Sequence, residues 1–250
     1  MAKIIKKSNH LKEEYEKAKS ASTIGYIACI IGFVLFAVLA VGAHMFSVAI
    51  PLIFVFGGGG LIGSTFKQKA DALASGLAGE AATAEIFSAL PSTSYCGFQN
   101  LTISYEGKQS ELDTVIVGPT GVFIVETKNM GGTIVGNYDN PQWVQKKVGQ
   151  QGTPYQKNFY SPIKQVGTHT YRLAGFLREN GINVHVNNMV YFSNPDAVVQ
   201  LLGEKKNTPV YSALTHGSND LLLEVLDKEE CIDEATLVKI INLLNAIPAK

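Results

Sequence analysis

Residues 111–128 read ELDTVIVGPTGVFIVETK, the clearest segment of the chain. Two β-branched runs flank Gly118-Pro119-Thr120-Gly121, a turn signal, so the spacing predicts a β-hairpin. With a four-residue loop at 118–121, Val117 pairs with Val122. The same register puts Asp113 opposite Glu126 and Glu111 opposite Lys128. Side chains alternate between faces with period two, so these four share a face with Val115, Val117, Val122 and Ile124. The other face carries Leu112, Thr114, Ile116, Phe123, Val125 and Thr127. Directly opposed carboxylates destabilise a sheet. At an effective dielectric of 20 their repulsion is about 3 kcal/mol. A bound divalent cation would offset it, and so would Lys128 on the same face. A solvent-facing strand end with mixed charges is the third reading.

Outward from the hairpin, residues 68–90 have helical spacing and Pro91 stops them. Residues 95–105 read as a strand, and 131–144 as further β structure with Trp143 in the core. Residues 162–179 read as a helix with Gly181 as its stop, and 184–193 as a strand. A short helix is expected after Pro195, with helices at 221–226 and 234–246. The order gives an α/β sandwich with a central mixed sheet.

The N-terminal part differs in kind. Charged residues are 17% of the chain, below the roughly 25% of soluble domains. The deficit is local: no Asp, Glu, Lys or Arg occurs from Ser20 to Phe66. Residues 23–43 and 47–66 are each long and apolar enough to span about 30 Å of hydrocarbon. Pro51 and the run Gly57 to Gly60 weaken the second span. Gly59 and Gly63 form a GxxxG spacing, read here as composition rather than a dimer motif. Lys3, Lys6, Lys7, Lys12, Lys17 and Lys19 precede the spans, and Lys67 and Lys69 follow them. The loop around His44 has no Lys or Arg, so both flanks are expected in the cytoplasm. The first residues read as a short solvated basic helix.

Net charge is zero, and residues 67–250 hold 15 basic and 18 acidic side chains. That balance argues against broad charge-driven nucleic-acid binding but leaves a local basic groove open. Lys108, Lys146, Lys147 and Lys164 are the candidates for one. Cys29, Cys96 and Cys231 are scattered and suggest neither a disulfide framework nor a zinc site.

Asp113, then Glu126-Thr127-Lys128 on the next strand, resembles the D…(D/E)xK signature of restriction-endonuclease-like nucleases. The surrounding residues are more specific. GLAGE at 76–80, ELD at 111–113, VGPTGVFIVETKN at 117–129, Gly132, Trp143 and SPIKQ at 161–165 with His169 resemble the nuclease-related domain, or NERD, family. The resemblance covers about residues 76–200.

The resemblance implies a restriction-endonuclease-like sandwich and Mg²⁺- or Mn²⁺-dependent cleavage of DNA or RNA. Asp113 and Glu126 would be metal ligands, with the backbone carbonyl of Thr127 and with Glu80 approaching from the first helix. Lys128 would orient the attacking water and stabilise the charged transition state. Gln165 would position water or phosphate. Many members have His after the motif Asp, where this chain has Thr114.

The expected organisation is a basic cytosolic segment at 1–22, a two-helix transmembrane hairpin at 23–66, the nuclease-like domain at 70–205 and a helical extension at 206–250. The leading expectation is a multi-pass membrane protein with a cytoplasmic nuclease domain. A membrane-tethered nucleic-acid-binding or signalling module of the same fold, weak or inactive in catalysis, is the alternative. Homo-oligomerisation stays open.

Overall fold

The computed structural model describes residues 1–42, 46–149, 152–204 and 207–249. The chain forms two units, His10–Leu77 and a larger one built from Met1–Asn9 and Ala78–Lys250.

The larger unit is built around the predicted hairpin. Strands β1 (Lys3–Lys6), β2 (Cys96–Tyr105), β3 (Lys108–Gly118) and β4 (Gly121–Lys128) lie in one sheet, continued by β8 (Val186–Phe192) and β10 (Val210–Ser212). A second sheet has the order β7 (Pro154–Tyr160), β6 (Gln142–Val148), β5 (Gly132–Asn137), β9 (Ala197–Leu202). Helix α1 (His10–Ala37) and most of α2 (Phe46–Ser88) belong to the other unit, while α3 (Pro162–Glu179), α4 (Ser218–Leu226) and α5 (Glu234–Ala246) complete the larger one.

In the hairpin Val117 pairs with Val122, as the spacing predicts. The loop is tighter than expected, because Gly118 pairs with Gly121 and only Pro119 and Thr120 turn the chain. A Cβ at Gly118 would stand 2.2 Å from the Tyr95 ring, so only glycine fits there. Val115, Val117, Val122 and Ile124 enter one core with Phe98, Trp143, Val166 and Leu173 of α3, and Ile240 and Leu244 of α5. Ile116, Phe123 and Val125 enter a second core with Phe87 and Leu90 beside the end of α2, and Leu221 and Val225 of α4. Each such side chain contributes about 1.5–3 kcal/mol on full burial, so the sheet is held from both sides.

Strict alternation fails at one place. Phe98 and Leu101 enter the same core, and so do Leu112 and Val115. Between them lie Asn100, in the left-handed region at φ 53°, and Asp113. The twist at Asn100 turns both strands over, so Leu112 sits on the face opposite to the predicted one.

Four expectations are corrected. The chain start is not simply a solvated helix: Lys3–Lys6 pairs in parallel with β2. Ile4 and Ile5 pack against opposite cores, a pattern too short to register as a strand. Residues after Pro195 form β9, parallel to β5, rather than a helix; the run Ala197-Val198-Val199 carries the β preference. Residues 206–250 are no appendage, because β10 extends the main sheet and α4 and α5 fill both cores. Finally, the helix expected at 68–90 and the apolar stretch before it are one continuous helix, Phe46–Ser88.

In the smaller unit, α1 buries Ala18, Ser22, Gly25 and Gly32 and exposes Ile24, Ile27, Ile30, Phe33 and Val34. A Cβ on Gly25 would lie 2.8 Å from Gly59 and Gly63 of α2. Ser22 Oγ donates to Gly63 O at 2.9 Å. Gly59 and Gly63 are thus contact points within the chain, not mere composition. Among the described residues one helix, His10–Ala40, is long and apolar enough to cross a membrane. The turn expected around Ala43, His44 and Met45 lies outside the described residues.

Candidate active site

The β3–β4 ladder ends at Thr114–Val125. One residue further on, the Asp113 carboxylate accepts the Thr127 backbone N–H at 2.9 Å. A side chain thus takes a bond that a regular ladder would give to backbone, and the strands part. The predicted backbone pairings of Asp113 with Glu126 and of Glu111 with Lys128 do not form. Glu111 pairs with Thr102 of β2 and stays exposed. Beyond Val125, β4 continues its pairing on the other side, with β8.

The two carboxylates nonetheless share one electrostatic site. Burial, followed by the charge of Glu126, pushes the Asp113 carboxyl up to about 8. Lys128 and the Thr127 N–H act in the opposite direction. Glu126 is wholly buried. Burial opposes its charge, yet His169 and Lys128 together outweigh burial and hold it below the usual carboxylate range. The site therefore separates two acids, one readily protonated and one firmly ionised.

Lys128 Nζ donates to Glu126 Oε1 at 2.6 Å and to Gln165 Oε1 at 3.1 Å. Its side chain keeps 23% exposure, so it is anchored inside and reachable from outside. His169 Nδ1 lies 3.4 Å from Glu126 Oε2. Both atoms are buried, and neither has a hydrogen-bond partner. Gln165 and His169 stand one turn apart on α3, whose start is fixed by Ser161 Oγ accepting from the Lys164 N–H and by Pro162 in the first turn.

Glu80 approaches from the last turns of α2. Asn100 Nδ2 donates to its Oε2 at 2.9 Å and Lys6 Nζ at 3.4 Å. Gln99 Nε2 donates to its backbone carbonyl at 2.7 Å. Glu80 is therefore no ordinary exposed helix residue, and its charge contributes to the rise at Asp113. Gly79 permits the approach: a Cβ there would meet Asn129 Cβ at 2.9 Å and Thr127 Cγ2 at 3.3 Å. Thr127 turns its hydroxyl to Thr83 Oγ1 at 2.9 Å. Thr114 is buried on the face away from Glu126, and its hydroxyl has no partner.

The structure thus brings together Asp113, Glu126, Lys128 and Gln165, with Thr127 and Glu80 at the margin. Asn100, Gln99, Lys6 and Thr83 were not read from the sequence as members of this network. An Asn inside a strand was the one signal for the first, since Asn tolerates a left-handed backbone. Trp143 is fully buried and donates Nε1 to Asn137 O, which makes it core. Among the described residues no group of three His, Cys, Asp or Glu side chains forms a ready metal cage.

Residues 75–193 match the family model of the nuclease-related domain. An uncharacterized protein of Bacillus anthracis is 35% identical over 95 residues, which cover 36% of this chain and 44% of that protein. The chain thus spans less than half the length of that relative. No solved structure matches. Asp113, Glu126, Lys128 and Gln165 all fall inside the segment that matches the nuclease-related domain (NERD) model.

Proposed function

We propose that this protein is a membrane-anchored, divalent-metal-dependent nuclease that hydrolyses phosphodiester bonds in DNA or RNA. The parted end of the hairpin carries the proposal: a buried carboxylate, Glu126, a half-buried one, Asp113, and an anchored lysine meet there, inside the segment that matches a nuclease-related domain. The donor set fits Mg²⁺ or Mn²⁺, which prefer oxygen ligands. Glu126 Oε2 is buried and unpartnered, and the charge repulsion at Asp113 is what a cation relieves. Asp113 and Glu126 would hold the ion, with the Thr127 carbonyl and Glu80 nearby. The ion would supply positive charge and acidify a bound water. Lys128, steadied by Gln165, presents its ammonium to the phosphate and stabilises the charge that grows on it.

The membrane reading rests on α1. Its small residues face α2 and its large apolar residues face outward, the arrangement that suits lipid. The first half of α2 would return across the bilayer. Lys12, Lys17, Lys19, Lys67 and Lys69 support a cytoplasmic position for both flanks under the positive-inside rule.

One observation favours the second reading, a tethered module without turnover: Lys128 is held by Glu126 at 2.6 Å. A single experiment separates the two. The full chain in nanodiscs is given single- and double-stranded DNA and RNA, with Mg²⁺, Mn²⁺ or chelator. Cleavage that needs metal and disappears in Asp113→Asn and Lys128→Met supports the nuclease. A folded chain that binds Mn²⁺ no better than Asp113→Asn and cleaves nothing supports the module.

A further inference from the structure

From Asn140 to Arg178 the chain has no Asp or Glu, yet it holds Lys146, Lys147, Lys157, Lys164, Arg172 and Arg178. In a chain of zero net charge this is a marked segregation. The segment is β6, β7 and α3, and α3 is the element that carries Gln165 and His169 to Glu126 and Lys128.

The two arginines of α3 are engaged, Arg172 with Gln109 O and Arg178 with the Tyr105 hydroxyl. The three lysines of the β6–β7 ribbon have no acidic partner among the described residues. A cleft of about 610 Å³ is lined by Gly132, Thr133, Lys146, Lys147, Tyr155 and Gln156 among others, and Lys157 follows it along β7. Lys147 is paired with Tyr155 across the ribbon, and Gln145 with Lys157. Lys147, Tyr155 and Lys157 therefore share one face. Trp143 and Phe159, further along it, are packed edge to face in the core. At the open end of that face the Tyr155 ring is 51% exposed. Lys108 and Lys164, also weighed for a basic groove, lie elsewhere, at the start of β3 and in the first turn of α3.

The cleft is tied to the reaction site through the chain. Gly132 follows Lys128 by four residues, a reach of at most about 14 Å. The Gln145 amide donates to Gly131 O at 2.8 Å and so pins β6 to this connection.

We propose that the face of β6 and β7 beside this cleft binds a single nucleic-acid strand flanking the bond to be cleaved, with Lys147 and Lys157 on its phosphates and Tyr155 stacked on a base. The partner follows from the chemistry. Unpaired ammonium groups select a polyanion, and an exposed ring between them selects one with aromatic faces. A duplex hides those faces, so the single strand is the ligand. The inference rests on the nuclease reading for its biological sense, but its test does not.

The test uses the full chain in nanodiscs without divalent metal, so that binding is read apart from cleavage. A fluorescent 20-nucleotide single strand and its duplex are titrated over a range of salt. The double variant Lys147→Gln/Lys157→Gln is expected to bind the single strand at least tenfold more weakly. Its slope of log affinity against log salt should be shallower by about 1.4, at about 0.7 for each phosphate that is no longer neutralised. Tyr155→Ala is expected to weaken binding several-fold with the slope unchanged, and Tyr155→Phe to restore it. Thermal melting confirms that each variant is folded. Unchanged affinity and slope in the double variant, or no binding of either nucleic acid by the parent, overturns the proposal. A silent Tyr155→Ala, or tighter binding of the duplex, overturns the single-strand assignment. Turnover of a small phosphodiester without a base, with metal restored, reads the reaction site alone. Loss there with binding intact would remove the nuclease and leave the cleft. Turnover with unaltered binding in the double variant would do the reverse.

Discussion

The two ends of the β3–β4 hairpin have opposite characters. At the closed end, Val115 to Val125 form an unbroken ladder with apolar side chains buried on both faces. At the open end the ladder stops, a carboxylate takes a backbone N–H, and buried atoms are left unpartnered. The same two strands thus supply stability at one end and chemistry at the other. Buried polar groups without partners destabilise a fold. The closed end offsets that cost, and Lys128 stays within reach of water.

The largest effects should separate the ends by kind. Lys128→Met is expected to lower the cleavage rate at least about 100-fold, as loss of a transition-state donor does, and also to lower the melting temperature, because buried Glu126 loses a cationic partner. A rate within a few-fold of the parent would break the comparison. At the closed end, Phe123→Ala should cost about 3–5 kcal/mol in denaturant unfolding, because a fully buried ring leaves a cavity. The surviving folded fraction should keep its cleavage rate.

Acid titration sharpens the contrast. The Asp113 carboxyl is raised to about 8 in the fold, against about 3.9 when unfolded. A raised folded value stabilises the protein fully below the unfolded value, and this contribution is lost as pH rises through about 8. In metal-free protein the stability of the parent relative to Asp113→Asn is therefore expected to fall steadily from pH 5 to pH 8, measured by denaturant midpoints. Glu126 is lowered and acts only at more acid pH. Metal affinity should rise over the same interval, since binding must expel the Asp113 proton. A flat difference from pH 5 to 8 would mean that Asp113 is not raised.

Smaller effects probe the margin. Asn100→Gly keeps the left-handed backbone but frees Glu80. The expected result is a several-fold loss of rate and a change in stability within about 1 kcal/mol. Lys6→Met removes a partly exposed ion pair at 3.4 Å and should change stability by no more than about 1 kcal/mol.

What the sequence reveals follows the same division. The closed end is legible because β-branched residues alternate on either side of a glycine-rich turn, and its register follows from counting. The identities of Asp113, Glu126, Lys128 and Gln165 were legible through their pattern. Their arrangement was not, because counting continues a ladder that the carboxylate interrupts. The flip of Leu112 was hidden for a related reason: only a left-handed Asn100 reverses the alternation. β1 and β9 escaped because four to six residues carry too little periodicity, and because their partners are distant in sequence. The packing of α4 and α5 depends on surfaces the rest of the fold creates.

β1 and β2 are neighbours in one sheet, yet the whole apolar segment lies between them. The chain leaves the sheet after Lys6 and returns to it at Cys96. A bilayer cannot pass between two hydrogen-bonded strands, so the number of crossings in between is even. If α1 crosses, it does not cross alone. The 43 residues of α2 span about 65 Å at about 1.5 Å per residue, enough to return through about 30 Å of hydrocarbon and still deliver Glu80 to the site. Whichever compartment holds Met1 also holds Lys128.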